Sequence, residues 1–209
     1  PNFPKFQTFR EASERIPAHR HVSEHVHAGP NAIENFKNYS YGVNANIEIV
    51  LAARDENGNC TDGIDYIDMS NDAAYCNYGV NSSNNNTNGV DLADLYAYRW
   101  DPSEYYNIYV VTEIDDASCP SPGTNGFAYL ASMHSYKPDG TYIRYCRFSE
   151  STLAHEIGHA LNLYHTFEDG TQTTCPPNSD CTQDNDKCCD TPPHFKNWGC
   201  PCGTNGCDN

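Results

Sequence analysis

The segment His155 to His165, reading HEIGHALNLYH, restricts this chain more than any other stretch of it. It overlaps Ser149 to Leu163, which reads as the best helix of the chain, opened by a Ser149 or Ser151 cap with Glu150 in the first turn. A helix turns once per about 3.6 residues, which puts His155 and His159 on one face, one turn apart, with Glu156 beside them. Two imidazoles so placed can share a metal ion, and zinc suits that donor set. Beyond His159 comes His165, and Asn162 between them can end the helix in a left-handed conformation and return the chain toward the metal. Three protein ligands leave a fourth position open, the arrangement of a catalytic zinc and not of a closed structural one; Glu156 then stands as general base. Ordinary histidines on an amphipathic helix end account for a bare HExxH, but they do not require a third histidine at this distance.

The surroundings narrow the class further. The formal net charge of -16, with only 12 Lys and Arg, argues against a nucleic-acid or anionic-membrane partner, since phosphate binding needs clustered positive charge. A well-hydrated surface is the plain reading of the acidity. Seven of the 11 cysteines (Cys175, Cys181, Cys188, Cys189, Cys200, Cys202 and Cys207) crowd the C-terminal part, which points to disulfides and an oxidising compartment. A zinc knuckle is the competing idea, but Cys188 and Cys189 are adjacent and paired C-x-x-C units at ribbon spacing are lacking. The odd count leaves one thiol free or paired outside the chain. No apolar run approaches the roughly 20 residues of a membrane span. Asn38, Asn59, Asn81 and Asn85 begin N-x-[ST] triplets, which agree with export in a eukaryote and are common by chance in an Asn-rich chain.

Along the chain, residues 1 to 45 are mixed and polar, with His19, His21, His25 and His27 in a patch that, lacking a carboxylate or fixed geometry, reads better as a solvated surface than as a metal site. Asn46 to Ala53 reads as a strand followed by a turn at Asp55 to Asn59. Asn81 to Gly89 is a polar loop, and Val90 to Tyr98 a short helix with Leu92, Leu95 and Tyr96 on one side. Tyr106 to Thr112 is the clearest strand and apolar enough to lie inside a sheet, and Phe127 to Met133 is predicted as another. Beyond Asp169 the chain is Cys, Pro, Asp and Asn without periodicity. Strands first and one long helix after them suggest an α+β fold or an α/β sandwich.

The motif HEIGHALNLYH resembles the long signature HExxHxxGxxH of the metzincin clan of metallopeptidases, with Asn162 in place of the usual glycine. Asn is among the non-glycine residues that best tolerate positive φ, so the turn is expected to survive the exchange. Within the clan the chain is most similar to the pappalysin group and its cytophagalysin-type members. The segments that carry this likeness are NIEIVLAARDENGNCTDGI (46 to 64), WDPSEYYNIYVV (100 to 111), GFAYLA (126 to 131), TLAHEIGHALNLYHTF (152 to 167) and CDTPP (189 to 193). The resemblance implies an α+β, metzincin-like fold: a twisted mixed sheet packed with helices over a horizontal cleft, and a smaller Cys-rich irregular lower part. A single catalytic domain over 1 to 209 is expected, with 1 to 165 above the cleft and 166 to 209 below it.

The implied activity is that of a secreted zinc endopeptidase, one zinc on His155, His159 and His165, with a protein or peptide substrate lying along the edge strand near Gly126 to Ala131. Calcium in the lower part is also implied, Asp190 and Thr191 being the first place to look, though a solvated acidic loop accounts for them equally. Metzincins carry a methionine turn downstream of the third histidine, whereas Met69 and Met133 both lie upstream, so the natural protein is expected to continue past Asn209. The rival readings are a zinc-braced, disulfide-rich binding module without activity, an astacin-like or serralysin-like enzyme, and a calcium-dependent adhesive domain.

Overall fold

The computed structural model describes residues 5–11, 49–82, 88–133, 139–148, 151–188 and 191–196, the first of these segments as backbone only. The chain divides into two compact units, Pro1–Ala160 and Leu161–Asn209.

The first unit is built on a sheet of strands β1 (Lys5–Glu11), β2 (Ile64–Ile67), β3 (Tyr105–Val111), β6 (Gly126–Ala128) and β7 (Thr141–Arg144), in the spatial order β2-β1-β3-β7-β6. The first four in that order are parallel, and β6 closes one edge antiparallel to β7. A hairpin of β4 (Glu113–Ile114) and β5 (Ala117–Ser118) stands apart from it. Its turn residues Asp115 and Asp116 both have positive φ, 52° and 62°, as a two-residue hairpin turn requires. The helices are α1 (Ala73–Tyr78), α2 (Leu92–Leu95) and α3 (Ser151–Ala160). A mixed sheet with helices is the α+β arrangement expected from the sequence.

Strand β3 is buried almost throughout, because it is a central strand covered on both faces. Side chains alternate across a strand, so its residues divide between two cores. Tyr105, Tyr109 and Val111 join Tyr75, Leu95, Trp100 and Tyr142 on one face. Tyr106 and Ile108 join Ile143, Ile157 and Ala160 on the other, with Leu153 packed beside them. The second core therefore seats α3 on the sheet through Leu153, Ile157 and Ala160, spaced four and three residues apart as one helical stripe.

Three cross-strand neighbours stack in a ladder at the β6 edge. Tyr109 faces Tyr142 in the β3–β7 register and Phe127 faces Tyr142 in the β6–β7 register. Their rings stack at 4.5 Å and 4.8 Å between centroids. Such pairs add to simple area burial because offset aromatic faces attract. Next along β7, Arg144 is fully buried and donates to the carbonyls of Ala117, Ser118 and Ser121 at 3.1, 3.2 and 3.0 Å, and to Asn125 Oδ1. These bonds satisfy the two terminal nitrogens and tie the loop that leads into β6, while Nε is buried without a hydrogen-bond partner among the described residues. The disulfide Cys119–Cys146 joins the same loop to the end of β7.

Several sequence expectations need correction. The strand expected at Asn46–Ala53 does not form in its described part, residues 49–53; β1 takes the sheet position beside β3 instead. Ala52 is buried against Gly63, where a Cβ would stand 2.7 Å from the Ala52 amide nitrogen, while Val50 and Leu51 are half exposed. The following turn makes a single bridge, Arg54 to Cys60, organised by Asp55, whose Oδ1 accepts the amides of Asn57 and Asn59. The strand expected over Phe127–Met133 stops at Ala128 and gives way to a 3-10 turn at Ala131–Met133. Val90–Tyr98 divides into α2 and a 3-10 turn, with Leu95 buried and Leu92 packed on the core as foreseen. Asn81 is 4 % exposed and donates to Gly89 O and Asp91 Oδ1, so its sequon has no room for a glycan, whereas Asn59 is exposed. The histidine patch His19–His27 and the Ser149 and Glu150 cap lie outside the described residues.

The second unit has neither helix nor strand among its described residues. Turns hold it: Asp184 Oδ2 accepts from Ser179 N, Ser179 Oγ and Asp180 N, and Thr171 Oγ1 accepts from the amides of Thr173 and Thr174. Cys175 and Cys181 are disulfide-bonded. Cys60, Cys76 and Cys188 carry free, exposed thiols, so the pairing expected of the cysteines is only partly realised among the described residues.

Replacing Tyr142 by Ala should cost about 3–5 kcal/mol of unfolding free energy, since it removes the central ring of the ladder from a fully buried site. Urea denaturation of the two proteins measures this, and a loss below about 1 kcal/mol would show that the ladder does not hold the β6 edge.

Candidate metal centre

Helix α3 positions the motif. Its stripe of Leu153, Ile157 and Ala160 lies against the sheet, and a residue two places on is rotated about 200° around the axis. His155 and His159 are therefore turned away from the core, one exposed and the other half-buried. Their rings meet edge to face with centroids 4.6 Å apart, and their Nε2 atoms are 3.1 Å apart. Two nitrogens each about 2.0–2.1 Å from one tetrahedral ion stand about 3.3 Å from each other, so this pair is spaced as two ligands of a single zinc would be.

Glu156, one position round the helix, is 6 % exposed. Burial pushes its carboxyl up to about 7, because a carboxylate loses hydration in the low-dielectric interior. Gly126, at the start of the edge strand β6, leaves space for it: a Cβ there would lie 3.2 Å from Glu156 Cγ and 2.9 Å from the Tyr142 carbonyl oxygen. Helical spacing singles out Glu156 but not this neighbour. The only signal was a glycine opening a strand segment, which marks a close approach without saying to what.

Asn162 adopts φ 71°, the left-handed conformation expected where it replaces glycine, and α3 ends at Ala160 just before it. His165 belongs to the second unit. There its ring stacks on Phe167 at 4.7 Å and 9° between planes, and its Nδ1 lies 3.5 Å from Glu168 Oε2. The structure thus brings His155 and His159 together on α3, and surrounds His165 with a ring and a carboxylate that sequence reasoning had not singled out.

Residues 89–208 match the family model of the M43 peptidases, described as pregnancy-associated plasma protein-A. The chain belongs to the M43 metallopeptidase family. Among curated proteins it is similar to an extracellular metalloprotease of Sordaria macrospora, 29% identical over 145 residues, which covers 62% of this chain and 45% of the relative. It is also similar to one of Colletotrichum graminicola, 39% identical over 131 residues, 58% of this chain and 42% of the relative. The chain thus spans less than half the length of these relatives. Among solved structures it is similar to mirolysin in complex with compound 9, at TM-score 0.52 and 23% identity over 81% of this chain and 67% of that one. Tannerella forsythia promirolysin matches with TM-score 0.52 and 20% identity over 87% of this chain and 63% of that one. These two likenesses establish the metzincin-type fold of the M43 chain, a mixed sheet with helices.

Gly126→Ala should destabilise the M43 chain by about 1–3 kcal/mol, because the added methyl meets backbone and the Glu156 stem together. Thermal melting of the variant, read beside Asn162→Gly, provides the check: the second exchange should be close to neutral, since glycine accepts the same φ. An equal loss in both variants would contradict these assignments.

Proposed function

We propose that this chain is the zinc-binding part of a secreted endopeptidase, in which His155, His159 and His165 hold one zinc and Glu156 is the general base. The observation that carries the reading is the paired Nε2 atoms of His155 and His159, 3.1 Å apart, next to a buried carboxyl on the same helix. Family membership supports it, as do relatives named extracellular metalloproteases. No helix among the described residues is long and apolar enough to cross a membrane.

Bound here, zinc would supply Lewis acidity toward a water and a peptide carbonyl. Glu156 then takes the proton from the water at its carboxylate and passes it to the departing amine nitrogen. A buried carboxyl whose affinity for protons is raised is suited to both halves of that transfer. Strand β6 would take a peptide substrate: among the described strands it pairs with β7 and lies at the edge of the sheet, so an extended chain could add beside it through backbone hydrogen bonds. Gly126, on that edge, lies against Glu156: a Cβ there would stand 3.2 Å from Glu156 Cγ. Calcium in the second unit belongs to the same proposal. Asp190 lies outside the described residues, and the Thr191 carbonyl accepts from Asn178 Nδ2 at 3.1 Å.

Cleavage of a mixed peptide pool by the purified chain tests the reading, with zinc content measured alongside. Glu156→Gln should keep zinc and lose about 10²–10⁴-fold in turnover, the usual contribution of a positioned general base. Chelation should abolish cleavage and added zinc restore it. Wild-type rates in the Gln variant would overturn the role of Glu156, and bound zinc without any cleavage in the parent chain would favour the zinc-braced binding module.

A further inference from the structure

The second unit contains a small network around His165 that the assignment of ligands does not use. His165 is stacked face to face on Phe167. Phe167 in turn meets His194 edge-on, with centroids 5.5 Å apart. His194 is itself held at both ring nitrogens, Nδ1 against Phe195 O at 3.0 Å and Nε2 against Thr166 Oγ1. Each ring thus has a neighbour that limits its rotation. Glu168 Oε2 lies 3.5 Å from His165 Nδ1, three residues further along the chain.

An imidazole can give one nitrogen to a metal only when the other carries the proton, and whatever accepts that proton decides which nitrogen is free. A carboxylate is the strongest such acceptor, and it also raises the basicity of the opposite nitrogen. We propose that Glu168 is the positioning residue for His165: its carboxylate accepts the Nδ1 proton while Phe167 fixes the plane of the ring, so that Nε2 is the nitrogen offered to the metal. This rests on the zinc assignment made above. His155 and His159 offer Nε2 to one another's side of α3, so the choice of Nε2 at His165 gives three ligands of one kind.

The contact is partly open to water, with the two side chains 26% and 42% exposed, so the effect belongs at the low end of what outer partners of zinc histidines contribute. Glu168→Gln keeps the shape of the side chain and removes the charge. Zinc affinity of the metal-free full chain, measured by competition with a chromophoric chelator, should weaken about tenfold. The His165 ring should at the same time lose its preference for the Nδ1–H form, read from ring-nitrogen shifts by NMR before any zinc is added. Phe167→Leu should weaken zinc binding while leaving that preference in place. An affinity within twofold of the parent in Glu168→Gln, or an unchanged tautomer, overturns the proposal. His165→Ala separates this from failure of the underlying reading: if that variant binds zinc as the parent does, His165 is not a ligand at all, whereas loss of zinc in His165→Ala with none in Glu168→Gln refutes only the role of Glu168.

Discussion

The seat of α3 on the sheet is the contact on which everything else in the first unit depends. Two periodicities meet there. Strand β3 sends alternate residues to opposite faces, so Tyr106 and Ile108 are available on one side only, and α3 presents Leu153, Ile157 and Ala160 to them every three or four residues. Because a helix cannot rotate without losing that stripe, seating it also fixes where its other faces look. His155 and His159 are thereby turned outward together, and Glu156 is carried into a buried position at the β6 edge. The histidine pair and the carboxyl acquire opposite environments from a single packing decision.

The environment of Glu156 depends in turn on the strand beyond β7. Strand β6 is only three residues long, too short to define its own place, and it is held by the stack of Phe127 on Tyr142 and by the loop that precedes it. That loop has little regular structure. It is gathered around the Arg144 guanidinium, which satisfies three carbonyls and the Asn125 side chain, and it is covalently joined to the end of β7 through Cys119 and Cys146. A charge buried this deeply would be costly alone; with its terminal nitrogens matched it orders the loop and delivers Gly126 to the Glu156 stem.

How much of this could be read in advance varies with the physical range of the signal. The helix, the left-handed residue at Asn162 and the buried strand follow from patterns a few residues long; the strand expected at Tyr106–Thr112 runs from Tyr105 to Val111, and the helix expected to reach Leu163 ends at Ala160. The strand expected at Asn46–Ala53 carries β-branched residues that fit a pleated surface, yet β1 occupies the place beside β3. Strand pairing is settled between distant segments, and propensity has no voice in which of two candidates wins. Strand β7 went unpredicted for the same reason: Thr141–Arg144 is fully buried although it contains an arginine, and only the carbonyls gathered from another loop make that possible.

The sequence by itself determined the pairing of His155 with His159, because i and i+4 on a helix share a face whatever surrounds them, and it determined the turn that ends that helix, because few side chains other than glycine and Asn accept positive φ. Only the tertiary structure decided that Glu156 would be buried and that Gly126 would be the residue leaving room for it. The same holds for the ring of Phe167 and the carboxylate of Glu168, which meet His165. Burial and contact are properties of surfaces brought together by folding, and a chain of residues carries no record of them until the sheet, the loop and the helix have packed.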